Sequence, residues 1–160
     1  MSKPIETSPE EAGLEETAAP FVYRRMVRWA DCDAARIIYT TRIFDYGMEA
    51  LEEWYRKVAG FDWYRANSFT DMGNPFVHLE GDIRSPVACG DEVLVRVLVA
   101  KIGRSSLSFE VDGHKADGTL VFNSKFVAST VNAKLMKSIE MPPRMRARIE
   151  EYQRRCGAAS

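Results

Sequence analysis

Much of the usual hydrolytic equipment is absent from this 160-residue chain. It has no GxSxG elbow, no HExxH and no GxxxxGK[ST] loop, so a serine hydrolase, a zinc peptidase and a P-loop nucleotidase each lack their defining motif. Histidine is scarce: only His78 and His114 occur, which leaves few options for a Ser-His-Asp site. His114 stands beside the Asp117-Gly118 turn signal and reads as a solvated hairpin residue. His78 follows Pro75-Phe76-Val77 and reads first as a hydrogen-bonded strand residue. The three cysteines, Cys32, Cys89 and Cys156, are odd in number and contain no CxxC pair, which predicts reduced thiols rather than a disulfide framework or a zinc site. No ligand set for a metal is recognisable, and no cofactor is expected.

An excess of charge of either sign is missing as well. The formal net charge is -1, so no general basic field draws nucleic acid or anionic membrane, and any anion binding has to be local. No apolar run approaches the roughly 18 residues that a membrane span needs. Residues 1–20 are rich in Glu, Pro, Ala and Thr and lack the apolar stretch of a secretory signal, and their acidity argues against a mitochondrial presequence. The expectation is a flexible leader over 1–20, one domain over 21–155 and a tail over 156–160, in the cytoplasm.

What is present is patterned. Phe21 to Trp29 reads as a first strand, with Val22, Met26 and Trp29 interleaved among Arg24, Arg25 and Arg28. Ile43 to Ala59 reads as a helix closed by Gly60, with Ile43, Gly47, Ala50, Leu51, Trp54 and Val58 on one face. Gly47 costs about 1 kcal/mol in a helix, and close approach of another backbone is its expected reason. Phe76 to Arg84 reads as a strand that ends before Pro86. Val93, Val95, Val97 and Val99 alternate with Glu92, Leu94, Arg96 and Leu98, and Leu107, Phe109 and Val111 alternate with polar residues. Asp117-Gly118 marks a hairpin into Leu120 to Val131, and Arg144 to Arg155 reads as a short charged helix. The fold class is therefore α+β: a curved five-stranded antiparallel sheet wrapped around a long central helix, with a short C-terminal helix. Apolar residues on the second face of the valine-rich strand predict burial against another subunit.

The chemistry has one concentrated candidate, Asp31-Cys32-Asp33. Cys32 is a poor nucleophile there, because flanking carboxylates raise a thiol pKa. Either aspartate, read locally, is a turn or cap residue. A second polar cluster, Lys101 with Gly103-Arg104-Ser105-Ser106, reads locally as a turn between strands. Glu49, Glu52 and Glu53 on the helix are alternative acids, more simply read as its solvated or subunit-facing side.

Residues 29 to 55, from Trp29-Ala-Asp-Cys-Asp-Ala-Ala-Arg-Ile-Ile-Tyr-Thr-Thr to Trp54-Tyr55, resemble the signature of the 4-hydroxybenzoyl-CoA thioesterase family, which includes the Tol-Pal-associated acyl-CoA thioesterases. Weaker matches continue through Gly90-Asp91, Gly103 to Ser106 and the later strands, over roughly 21 to 150. The resemblance implies a hotdog fold whose dimers build two active sites at the subunit interface, commonly assembled into tetramers. It implies hydrolysis of an aromatic or short acyl-CoA, with CoA as part of substrate and product. Asp33 corresponds to the catalytic carboxylate, as nucleophile or general base, and the polarising amide falls at Tyr39 or Thr40, with Thr40 favoured and Tyr39 shaping the pocket. Lys101, Gly103, Arg104, Ser105 and Ser106 correspond to the hairpin that meets CoA, where Arg104 suits phosphate through its planar fork. His78 joins them as a substrate-side candidate. Arg36 stands where the family usually has Gly, either facing solvent or meeting a phosphate or acyl carboxylate. Aromatic residues Phe44, Tyr46, Trp54, Tyr55, Phe61, Trp63 and Tyr64 are candidates to line an aryl pocket, and core packing explains most of them equally well. The competing reading is a non-catalytic module that binds acyl-CoA or acyl-carrier protein.

Overall fold

A computed structural model describes residues 17–158, so the larger part of the expected leader and the end of the tail lie outside the described residues. Strand β1, Phe21–Met26, points Phe21, Tyr23 and Arg25 inward and leaves Val22, Arg24 and Met26 exposed. It is shorter than expected. The Val27 N–H turns to the Asp91 carbonyl at 2.8 Å, and a 3-10 turn over Trp29–Asp31 carries the chain away with Trp29 87% exposed.

Helix α1, Arg42–Trp54, buries Ile43, Tyr46, Gly47, Ala50, Leu51 and Trp54, and continues as a wider π turn, Tyr55–Ala59, that Gly60 ends at φ +69°. Only glycine takes that left-handed conformation without strain. Gly47 is explained by a side chain rather than the expected backbone: a Cβ there would lie 2.5 Å from Cζ of Phe126.

Four longer strands follow, β3 Phe76–Ile83, β4 Glu92–Ile102, β5 Ser106–His114 and β6 Leu120–Ser129, and with β1 they form an antiparallel sheet in the order β1-β4-β5-β6-β3. The inner residues Val93, Val95, Val97, Phe109, Val111, Phe122 and Phe126 pack on α1, where Trp54 meets Phe109 edge-on at 4.9 Å. Period-2 alternation placed the inner faces of β4 and β5 correctly, because one face of a curved sheet has only the helix to cover it.

The final helix α3, Pro143–Ala158, starts one residue earlier and runs three residues further than expected. Its Tyr152 hydroxyl accepts from the Phe21 N–H at 2.8 Å and donates to the Val97 carbonyl, which ties β1 and β4 to the helix. Two features are new. A short helix α2, Trp63–Phe69, is capped by Asp62, whose Oδ1 accepts from the Arg65 N–H at 2.8 Å. A second small sheet joins β2 Met72–Gly73, β7 Val131–Asn132 and β8 Lys137–Ser138. Strands of two residues carry no readable periodicity.

Within this frame the sheet has two distinct ends. Ile38 donates to Val87 at 2.9 Å, so the entry to α1 sits where β3 finishes. The β4–β5 hairpin and β7 lie where β3 begins, since Ser106 pairs with Ser129 and Phe76 with Ala128. At about 3.3 Å per residue the eleven residues of β4 separate these ends by roughly 30 Å.

Candidate functional site

At the first end the loop between β1 and α1 is pinned by its two aspartates in different ways. Asp31 is 5% exposed. Its carboxylate accepts from the Arg28 N–H at 2.8 Å and the Tyr46 hydroxyl at 2.9 Å, and pairs with Arg25 at 3.3 Å and Arg42 at 3.9 Å. Burial works against its charge, but the Arg28 amide, the Tyr46 hydroxyl and the two guanidiniums outweigh it and hold the carboxyl below its ordinary pKa. Tyr46 shifts the other way, pushed up by burial and by its bond to Asp31. Arg25 also meets Glu49 at 2.8 Å and lies over the Tyr46 ring at 4.7 Å. Asp31 is thus a structural anchor.

Asp33 is exposed. One carboxylate oxygen accepts from the Ala35 N–H at 2.8 Å, an Asx turn, and the other has no protein partner among the described residues. The turn closes through Arg36 N–H to the Asp33 carbonyl at 2.9 Å, with Arg36 at φ +64°. That left-handed conformation is the physical reason glycine is at home there, and Arg36 keeps the loop's shape at a cost of about 1–2 kcal/mol. Its side chain is exposed.

The two strands of the loop are held by Asp33 N–H to Ile37 at 3.1 Å and Tyr39 N–H to Asp31 at 2.8 Å. The Tyr39 amide is therefore committed. The Thr40 amide, in the turn that enters the 13-residue helix α1, has no acceptor among the described residues. Cys32 pairs across the loop with Ile38, and its thiol is pushed up by burial, by Cys89 and by Asp31, which agrees with its exclusion as a nucleophile.

The other expected site residues gather at the far end. Gly103 N–H closes a tight turn onto the Ser106 carbonyl at 2.8 Å, leaving Arg104 81% exposed with Glu140 at 3.9 Å. Lys101 is exposed beside a bulge in β4. Arg146 of α3 donates to the carbonyls of Gly103 and Arg104, and the Met141 N–H reaches Arg104 at 3.0 Å. This brace was missed from sequence, where Arg146 is one charge among many. Beside it a cavity of about 460 Å³ is lined by Met48, Trp63, Asn74, Pro75, Phe76 and Met136 among others.

One chain therefore does not bring its expected residues together. Asp33, Tyr39, Thr40 and Arg36 stand at one end, while Lys101, Gly103, Arg104, Ser105 and Ser106 stand at the other. His78 is on the outer face of the edge strand β3, with Nε2 3.3 Å from Glu80. Of the aromatic candidates, Tyr46, Trp54, Tyr55 and Phe61 are buried in the core and Trp63 is the one that lines the cavity. The helix acids are occupied differently: Glu49 pairs with Arg25, and Glu53 with Arg56 and Lys57, while Glu52 is exposed. A second hollow of about 490 Å³ on the outer sheet face holds Glu80, Asp82, Glu110 and Asp112, but Lys125 pairs Glu80 at 3.7 Å and Arg96 pairs Asp112 at 2.6 Å.

This geometry has relatives. The 1,4-dihydroxy-2-naphthoyl-CoA hydrolase of Synechococcus elongatus is 27% identical over 136 residues, covering 83% of this chain and 91% of its own. A thioesterase-superfamily protein from Jannaschia sp. CCS1 superposes with a TM-score of 0.76 at 32% identity, covering 94% of this chain and 97% of that one. A 1,4-dihydroxy-2-naphthoyl-CoA thioesterase from Synechocystis shares the fold with a TM-score of 0.77 at 23% identity, over 82% of this chain and 96% of its own. Residues 27–149 match the family model of the Thioesterase-like superfamily. With its hotdog fold and an exposed acid before the central helix, this chain belongs to the Thioesterase-like superfamily and is a thioester hydrolase.

Proposed function

We propose that the protein hydrolyses an aryl or short acyl-CoA to the free acid and CoA, with Asp33 as the reacting carboxylate and Thr40 N–H as the oxyanion donor. The observation that carries this reading is the division of labour at the helix entry: Tyr39 N–H is spent on Asp31, Thr40 N–H is not, and the exposed Asp33 belongs to the same short loop. A thioester carbonyl is reactive enough for a carboxylate to add to it directly, or to take a proton from a water that adds. Either route puts negative charge on the carbonyl oxygen and expels CoA as its thiol. A free amide at a helix N-terminus is suited to hold that charge. The aryl preference is supported by relatives whose names specify a bicyclic aromatic acyl group and by the resemblance of residues 29 to 55 to 4-hydroxybenzoyl-CoA thioesterases.

The active unit we propose is a two-fold dimer across β3. This eight-residue strand closes one side of the sheet, with no strand on its outer side among the described residues, and Val77, Leu79 and Ile83 are exposed on it. An open edge with apolar side chains is a liability in a lone protein and a ready surface for a second copy. Antiparallel pairing of two β3 strands reverses one against the other. The α1 entry of each protomer then faces the hairpin and cavity of its partner, so that Asp33 and Thr40 meet Arg104 and the cavity across the interface. Arg104 and Lys101 would there take the CoA phosphates.

The test is free-thiol release over a panel of aryl and short-chain acyl-CoA thioesters. Asp33→Asn is expected to keep the wild-type Tm and molecular mass in solution and lose about 10³-fold in turnover. Near-wild-type hydrolysis by this variant would remove Asp33 from the reaction.

A further inference from the structure

The cavity beside β3 holds a polar group that packing does not explain. Asn74 is 8% exposed, and neither its Nδ2 nor its Oδ1 has a hydrogen-bond partner among the described residues. Around it the wall is largely apolar, with Met48, Trp63, Pro75, Phe76 and Met136, and the Trp63 Nε1–H is likewise without a partner among the described residues. The Tyr55 hydroxyl lies close enough for the Asn74 amide to oppose the upward push that burial gives its pKa, yet it too lacks a bond of proper geometry.

Asparagine before a strand ordinarily earns its place by bonding nearby backbone in a turn. Asn74 makes no such bond. Its backbone is held in place, since Pro75 restricts the preceding residue to extended conformations and β2 and β3 fix the chain on either side. A buried amide with both ends unpaired costs stability. In a cavity open to a ligand, that ligand is one source of the missing partner.

We infer that Asn74 is a specificity-determining residue, and that its amide recognises a phenolic hydroxyl at the far end of an aryl acyl group seated in this cavity. This rests on the thioesterase reading above. An amide presents one donor and one acceptor side by side, and a hydroxyl answers both, giving its proton to Oδ1 and receiving one from Nδ2. A carboxylate is a poorer match, because it faces Oδ1 with like polarity and the cavity lining includes no cationic side chain. An unsubstituted ring leaves both amide atoms unsatisfied. Trp63 and Phe76, edge-on to each other at 5.7 Å, supply flat apolar wall for the ring itself.

The experiment compares kcat/KM for benzoyl-CoA with its 3- and 4-hydroxy derivatives, in wild type, Asn74→Leu and Asn74→Ala. Binding of the non-hydrolysable thioethers S-phenacyl-CoA and S-(4-hydroxyphenacyl)-CoA is measured alongside. Wild type is expected to favour one hydroxylated thioester by about tenfold or more, and both variants to shrink that ratio to within about twofold. Asn74→Leu is also expected to unfold at a temperature no lower than wild type, since it exchanges an unpaired amide for apolar surface; Asn74→Ala serves if leucine does not fit. A wild type indifferent to the hydroxyl, or variants that keep the preference, overturns the inference. If no thioester is cleaved but the hydroxyphenacyl thioether still binds selectively to wild type alone, the hydrolase reading falls and the role of Asn74 stands.

Discussion

The two ends of the sheet treat buried polar groups in opposite ways. At the α1 entry the buried carboxylate of Asp31 is saturated by a backbone amide, a tyrosine and two arginines. At the cavity end the Asn74 amide is nearly as deeply buried and makes no hydrogen bond of proper geometry among the described residues. A satisfied buried group holds a structure in one shape, whereas an unsatisfied one costs stability. On the proposed function, the difference separates the residues that build the loop carrying Asp33 from the one proposed to meet the acyl group. It also separates two aspartates that lie two positions apart.

The sharpest way to break that comparison is to make the same change at both aspartates. Asp31→Asn removes the charge on which Arg25 and Tyr46 converge, and an expected loss of about 3 kcal/mol follows in denaturant unfolding, because breaking one partner of a buried pair strands the other. Asp33→Asn, by contrast, is expected to leave the unfolding midpoint within about 0.5 kcal/mol, as an exposed residue does. Equal stability losses at both positions would erase the distinction drawn between anchor and reagent.

The contrast extends to pH. The Asp31 carboxyl is held below its ordinary value in the fold, so its stabilisation is fully present above the unfolded pKa of about 3.9 and is lost as pH falls through the lower folded value. Wild type is therefore expected to lose stability on acidification below about pH 4 more steeply than Asp31→Asn. Parallel acid limbs for the two proteins would contradict that origin.

At the far end, Arg104→Ala is expected to raise the KM for acyl-CoA about three- to tenfold with little change in kcat, since its exposed guanidinium has only a distant Glu140 to hold it in the free protein. An unchanged KM removes the hairpin from CoA binding. The smallest effect belongs to the loop itself. Arg36→Gly relieves a left-handed residue but frees the unfolded chain, for a net gain of roughly 0.5–1 kcal/mol by thermal unfolding. A loss of stability there would show that the Arg36 side chain contributes contacts.

Much of the scaffold was legible in the residues. The alternating valines of β4, the helical stripe of α1 and the glycine at position 60 are local patterns, and each predicts an element without reference to anything distant. The first strand was overextended to Trp29, because apolar alternation continues there while the Asp31 carboxylate bends the backbone away. Helix α2 and the small sheet escaped notice, although Asp62 in front of Trp63 is a legible cap. For the aromatic residues of α1 the sequence left core and pocket open, since spacing tells which face a ring takes but not whether core or cavity lies beyond it; Tyr46 and Trp54 lie in the core.

By itself the sequence determined which faces are apolar, where the elements turn, and that the D-x-D acids stand just ahead of a buried helix. Both acids sit in one tripeptide, and nothing local separates them. Only the tertiary structure decided that Asp31 is sunk among arginines from β1 and α1 while Asp33 faces outward, that the basic hairpin lies at the opposite end of the sheet from the acid, and that Asn74 is walled in without a hydrogen-bond partner among the described residues. The reason is physical. Periodicity records the direction in which a side chain points, but burial, pairing and isolation depend on what other parts of the chain place in front of it.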